Sequence, residues 1–266
     1  MGVTYVGRDE AMETVASRIE DVEVVLDLGP GIVPQTFVKK PYVHICVDAH
    51  RPYIERVKRE VGDDPRYVFL NATWDTVVPL LPDKSVDTVF ALEFIEHLEK
   101  EDGLRMLREA ERVARKQVVV GTPCGFYHQH YEDPTVPDRW GMDGAYWQSH
   151  RSGWQPEDFP EGWEFIISPD FIVEDEHDHL MEEPMPQLWA LRNLGPEASR
   201  RYFVMEGATA WEHFKLALEQ GMPPAVHRGF QSAWRGLLRV TGRKGPAGRA
   251  KQHVEGGGAA AAPGAR

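Results

Sequence analysis

Two acids and two glycines carry the first chemical signal in this chain. In "VVLDLGPGIVP", residues 24–34, an apolar run ends in Asp27, Gly29 and Gly31. Glycines at such a turn let backbone approach a ligand closely or take a positive φ. The next apolar run, "VHICVD", ends in Asp48, 21 positions after Asp27. An acid about 20 residues on is suited to hydrogen-bond both hydroxyls of a ribose. A dinucleotide site needs a third glycine, which lets a helix pack close and aim its N-terminus at a pyrophosphate. Here Ile32, Val33 and Pro34 follow instead. The branched side chains obstruct a close approach, and Pro34 fits the first turn of a helix. The pattern asks for a ligand with a ribose and no phosphate.

Four histidines could move a proton, as a sugar or aliphatic hydroxyl requires when it attacks an electrophile. His97 lies in "FIEHLE", where it either meets the ligand or, with Glu96, caps or braces a helix. His128 and His130 lie in "GFYHQHYED" and His150 in "YWQSHRSGW". A His-x-His pair beside acids also invites a metal, but no third ligand stands at a fixed spacing, so no metal is expected. The acidic run "EDEHDH", residues 174–179, reads as a solvated loop. His150 is favoured as the base because Tyr127, Tyr131, Trp140, Tyr146, Trp147 and Trp154 surround it in sequence. These residues fall in an insertion spanning about 124–162, and long aromatic insertions are more often functional lids than neutral loops. Arg151 is assigned either an acidic group of a second substrate or an ion pair with Asp158.

The elements that must position these groups alternate between strand and helix. Apolar runs at Val22 to Leu28, Tyr42 to Val47, Tyr67 to Leu70, Val86 to Leu92 and Gln117 to Gly121 read as buried parallel strands. The clearest helix is Lys100 to Lys116, with Leu104, Leu107 and Ala114 at helical spacing and Met106, Ala110 and Val113 widening the stripe. Runs at Trp163 to Ser168 and Gln187 to Asn193 form a terminal antiparallel hairpin. The order predicts a doubly wound α/β fold with a mostly parallel seven-stranded sheet. Residues 1–195 form this domain, 196–240 a C-terminal helical extension and 241–266 a disordered basic tail. In such a sheet the ligand sits beyond the carboxyl ends of the strands.

The stretch from Val22 to Asn193 resembles the class I S-adenosylmethionine-dependent methyltransferases, in the broad small-molecule group that includes the ubiquinone-biosynthesis type. "LDLGPG" is similar to the family's first motif, Asp48 to its ribose-binding acid, and "PDKSVDTVFALEFIEHLEKEDGLRMLREAERVARKQVVVGTP" to its fourth- and fifth-strand block. The resemblance implies S-adenosyl-L-methionine as cofactor. It assigns Asp27, Gly29, Gly31, Asp48, Asn71, Ala72 and Glu93 to donor binding, with Asp27 near the methionine amine; the residues alone allow Asp27 to satisfy turn amides instead. Two departures are visible: Val33 stands where the family usually has Gly, and Asn71-Ala72 where it often has Asp-Ala. The expected reaction is methyl transfer to a hydroxyl or amine of a small-molecule acceptor such as a sugar, polysaccharide precursor or natural product. A protein or RNA methyltransferase and a non-catalytic cofactor-binding subunit are the alternatives.

Composition narrows the partners. The net charge of -12 divides unevenly: from Arg228 onward eight Lys/Arg face one Glu, leaving 22 basic and 41 acidic residues before it. An acidic body repels a phosphate backbone, which speaks against nucleic acid. Cys46 and Cys124 are too few for a disulfide framework. The chain lacks an apolar stretch of the roughly 18 residues that span a bilayer, and its start lacks the basic and apolar segments of a signal peptide. A cytoplasmic protein with no membrane partner is expected, and a homodimer is compatible with these features.

Overall fold

The computed structural model describes residues 2–131, 133, 135–175 and 179–195. Eight strands and five α-helices follow in the order β1 (Gly2–Tyr5), α1 (Arg8–Ser17), β2 (Val24–Leu28), β3 (Val43–Asp48), α2 (Arg51–Val61), β4 (Tyr67–Asn71), α3 (Trp74–Val77), β5 (Val86–Leu92), α4 (Lys100–Val113), β6 (Ala114–Pro123), α5 (Ala145–Gln148), β7 (Trp163–Glu174) and β8 (Leu180–Asn193). They build one sheet in the order β1-β7-β8-β6-β5-β2-β3-β4. Its β2, β3, β4, β5 and β6 are parallel, while β8 runs antiparallel to both β6 and β7. The chain leaves β2 toward β3 on one side, and β5 toward β6 on the other. The switch in strand order therefore lies between β2 and β5, where a ligand crevice opens in sheets of this type.

Period-two alternation divides the sheet's side chains between two cores. Leu26, Leu28, Val89, Ala91, Val118 and Val120 face α4 through Met106, Leu107, Ala110 and Val113. Val25, Phe90, Val119, Ile166 and Trp189 face the other way, toward Ala11 and Val15 of α1. Near-continuous apolar strands are what burial on both faces demands.

Three expectations need correction. The sheet has an eighth strand, β1, paired parallel with β7 at one edge. Its residues "GVTY" are all exposed, so the apolar run that marks a strand is missing. Helix α4 stops at Val113 rather than Lys116, because Ala114 pairs with Val86 and Arg115 bridges Asp87 at 2.8 Å, which draws these residues into β6. Pro34 opens no helix; residues 34–36 have no regular structure. Asp27 Oδ2 accepts the Gln35 N–H at 2.8 Å, and the Gln35 amide exchanges hydrogen bonds with Val38 N–H and carbonyl at 2.9 and 3.2 Å. That ring satisfies the backbone groups a helix would have paired. Phe37 stacks near Phe90 and covers this face of the sheet in a helix's place. The expected extension over 196–240 and tail over 241–266 lie outside the described residues.

Candidate active site

The crevice contains two adjoining cavities. The first, about 400 Å³, is lined by Gly29, Gly31, Asp48, Ala72, Trp74 and Phe94, among others. Gly29 and Gly31 adopt φ values of 64° and 56°, in the left-handed region that favours glycine. A β-carbon on Gly31 would meet nothing within 4 Å, so the turn leaves open space for a ligand. Asp48 ends β3 with both carboxylate oxygens held, Oδ1 by His50 N–H at 2.7 Å and Oδ2 by Gly31 N–H at 3.1 Å. Burial outweighs these bonds and raises its pKa to about 6.

The charges of this cavity answer the phosphate question. Asp48, Asp75, Glu93, Glu99 and Asp102 line it against one guanidinium, Arg151. That group donates to the His97 and Tyr146 carbonyls at 2.6 and 2.7 Å. The expected pair with Asp158 does not form, since Asp158 binds Lys100 at 2.8 Å. An acid-lined pocket repels a pyrophosphate and suits a cationic sulfonium. The residues present therefore fit S-adenosylmethionine.

The second cavity, about 360 Å³, shares Gly29, Gly31, Glu93, His97 and Gln148 with the first. Its further walls include Tyr127, Gln129, Trp140, His150 and Ile172. The chain after β6 is tied over this space at several points. His150 N–H donates to the Gln129 carbonyl, and the N–H groups of Arg151 and Ser152 donate to that of Glu96 at 2.8 and 3.1 Å. Its other end rests on α2, where Tyr53 Oη donates to Asp138 and His50 Nε2 bonds the Met142 carbonyl.

Where the cavities meet, buried titratable groups converge. His97 and His150 stand with ring centroids 4.9 Å apart. His97 Nδ1 bonds the Ser149 carbonyl and His150 Nδ1 that of Tyr127, at 3.2 and 2.9 Å. A carbonyl only accepts, so Nδ1 of each ring donates, and the Glu93 carbonyl is a second acceptor for the His97 ring. Burial, reinforced by His150, pushes the His97 pKa down to about 3. Glu93, with φ 49°, accepts a hydrogen bond from Gln187, and Glu96 Oε2 accepts one from Thr122 at 3.0 Å. Burial raises both carboxyls, Glu96 well above its ordinary range, and the nearby Glu93 charge raises it further.

The expected site residues thus divide. Gly29, Gly31, Asp48, Ala72, Glu93, His97 and His150 line the cavities. Asp27 is 1% exposed beneath the turn, bonded to Gln35 N–H and to His44 at 3.1 Å. Asn71 donates to the Asp48 and Ala49 carbonyls from outside the described cavity walls. His128 and His130 are exposed and line neither cavity. Phe94 and Gln148 did not stand out in the sequence, and Glu96 was expected only as a helix cap or brace beside His97. For Glu96 a signal existed: Glu-x-x-Glu-His at a strand's end brings both acids onto one turn.

Residues 26–120 match the model of the methyltransferase domain family. Residues 26–120 thus carry a methyltransferase domain. Known structures similar to it include an S-adenosylmethionine-dependent methyltransferase from Leishmania major, 11% identical, with 69% of this chain and 70% of that one aligned at a TM-score of 0.45. Another is an S-adenosylmethionine-dependent methyltransferase from Archaeoglobus fulgidus, 15% identical over 68% and 93% at 0.42. A third is the magnesium protoporphyrin IX methyltransferase of Synechocystis with its donor bound, 13% identical over 69% and 76% at 0.40. No curated protein matches the chain. The methyltransferase uses S-adenosylmethionine as its methyl donor. Among the described residues no helix is long and apolar enough to cross a membrane.

Proposed function

We propose that this methyltransferase acts on a hydroxyl or amine of a small molecule, such as a sugar, a polysaccharide precursor or a natural product. One observation carries the reading: the second cavity, a space of about 360 Å³, adjoins the donor pocket along Gly29 and Glu93. That volume falls in the range of small-ligand sites. Tyr127, Trp140 and Ile172 offer apolar surface to the acceptor's body, and Gln129 and His150 offer polar contacts.

The donor supplies a methyl group on a sulfonium, so its carbon–sulfur bond breaks as the acceptor's bond to carbon forms, and the electron pair stays on sulfur. The protein's task is to hold the two partners in line, which can supply several kcal/mol of the barrier. A hydroxyl also surrenders its proton, and the His97–His150 edge is where it leaves.

The test is incubation of the protein and labelled donor with an extract of its source cells, followed by separation of low-molecular-weight and macromolecular fractions and mass spectrometry of each. Label in the small-molecule fraction is expected. Label confined to protein or RNA would overturn the reading.

A further inference from the structure

We infer that Tyr53 and Asp138 are positioning residues for methyl transfer: their hydrogen bond fastens the segment after β6 to helix α2 and sets Trp140 and Gln148 in the wall of the second cavity. The inference rests on the small-molecule reading, in which that cavity takes the acceptor. Tyr53 is 2% exposed and Asp138 6%. The Tyr53 hydroxyl donates to Asp138 Oδ2. Burial, with Asp138 beside it, raises the phenol pKa, so the proton stays on Tyr53.

Asp138 uses its other oxygen to build the turn that carries Trp140. Oδ1 accepts the Trp140 and Met142 N–H groups at 2.8 and 3.0 Å, and the Asp138 carbonyl accepts that of Gly141 at 2.9 Å. A buried carboxylate is costly without partners, so these donors and Tyr53 hold the turn in one geometry. The Trp140 ring stands edge-on to Tyr53 with centroids 5.7 Å apart, and it lines the second cavity. Gln148 lies beside the Tyr53 hydroxyl and lines both cavities. On the donor side Tyr53 itself lines the first cavity, and its ring meets that of His50, whose N–H is held by Asp48. One buried bond thus joins a wall of the donor pocket to a wall of the acceptor pocket.

Gly144 shows how closely the pair is packed. A β-carbon there would overlap both Tyr53 Oη and Asp138 Oδ2, although the backbone, at φ -94°, does not itself call for glycine. Gly144→Ala therefore disturbs the bond without altering either partner. The same residue opens α5, which brings Tyr146, Trp147 and Gln148 to the first cavity.

The test uses the full chain. Hydrogen exchange is followed by mass spectrometry with S-adenosylhomocysteine present, and label transfer from saturating S-adenosylmethionine is measured in an extract of the source cells. Tyr53→Phe keeps the ring and removes the bond, so exchange over residues 138–148 should quicken about tenfold or more while the strands stay protected. Transfer should fall about tenfold or more, the usual effect of a misplaced partner. Gly144→Ala should do the same, and Asp138→Ala more strongly. Asp138→Asn should stay close to wild type in both measurements, because its amide can hold the hydroxyl and its oxygen can accept both N–H groups. Calorimetry with S-adenosylhomocysteine verifies each fold. Unchanged exchange in Tyr53→Phe and Gly144→Ala overturns the inference, as does faster exchange with undiminished transfer. An Asp138→Asn variant as impaired as Asp138→Ala also overturns it, since charge and not position would then matter. Label confined to protein or RNA in the wild type sinks the small-molecule reading alone, because variant and wild type are compared in whichever fraction is labelled.

Discussion

The Phe94 ring lies so close to Gly29 that a β-carbon on the glycine would stand 2.1 Å from its Cδ2. The turn after β2 and the turn after β5 are thus in mutual contact, and both line the first cavity. Gly29→Ala adds that carbon at a φ of 64°, so either Phe94 or the turn must shift. The expected cost is about 1 to 3 kcal/mol of stability, together with weaker donor binding. Chemical denaturation and calorimetry measure the two; an unchanged protein would refute the contact.

Asp48→Ala should weaken donor binding by about 1.5 to 3 kcal/mol, the usual worth of a charged hydrogen bond. The sheet remains intact, because β3 pairs with β2 and β4 through its backbone. Unchanged affinity in calorimetry would remove Asp48 from the ribose site.

Acidity should affect this carboxyl in two opposite ways. Its folded pKa of about 6 lies above the ordinary 3.8, so the fold binds a proton that the unfolded chain releases between those values. The Asp48 contribution to stability is therefore complete below about pH 4 and is lost as pH rises through 6, by up to about 3 kcal/mol. Donor affinity should run the other way and fall below pH 6, as the acid loses its charge. Asp48→Ala should flatten both profiles between pH 4 and 7, which denaturant titration and calorimetry across that range can follow.

His150→Ala should lower turnover by on the order of 10²-fold or more, with donor affinity little changed, since the ring lines only the second cavity, the proposed acceptor site. Near-normal turnover with the true acceptor would place proton removal elsewhere. His97→Ala and Glu96→Gln should behave alike if the three act as one cluster.

Glu96→Gln should raise the melting temperature of the protein at neutral pH. The wild-type carboxyl, held above its ordinary range, costs stability once pH rises past the unfolded value, and the neutral amide removes that cost. A lower melting temperature would mean that the charged form is already compensated.

The sheet was legible where its chemistry was apolar. Runs such as Val86 to Leu92 are buried from β-carbon to neighbour, and burial on both faces leaves a plain mark in sequence. β1 had no such mark, since its pairing with β7 is made by backbone and its side chains remain in solvent. The crossover after Gly31 was misread because Pro34 is compatible with a helix, while the ring of bonds around Gln35 depends on Asp27 and Val38 at other points of the chain. At the site, the glycines and Asp48 were legible because the ligand needs them at fixed strand ends. Glu96 was not, because its role comes from a tertiary neighbourhood of Thr122, His97 and His150. His128 and His130 had attractive spacing, but whether the ring after β6 turns inward is decided by bonds such as His150 N–H to Gln129.

The hairpin of β7 and β8 is 12 and 14 residues long, and it stands at the far side of the sheet from β3 and β4. Ile172 and Glu174, near its tip, wall only the second cavity, whereas Asp48, Ala72 and Trp74 wall only the first. With the acceptor in the second cavity, as proposed, substitutions accumulating at that tip would retune which molecule is methylated while leaving the recognition of the methyl source alone. Inheritance can therefore treat the two ends of the reaction as separate modules, and a designer wishing to change the product can begin with a few positions along one ribbon.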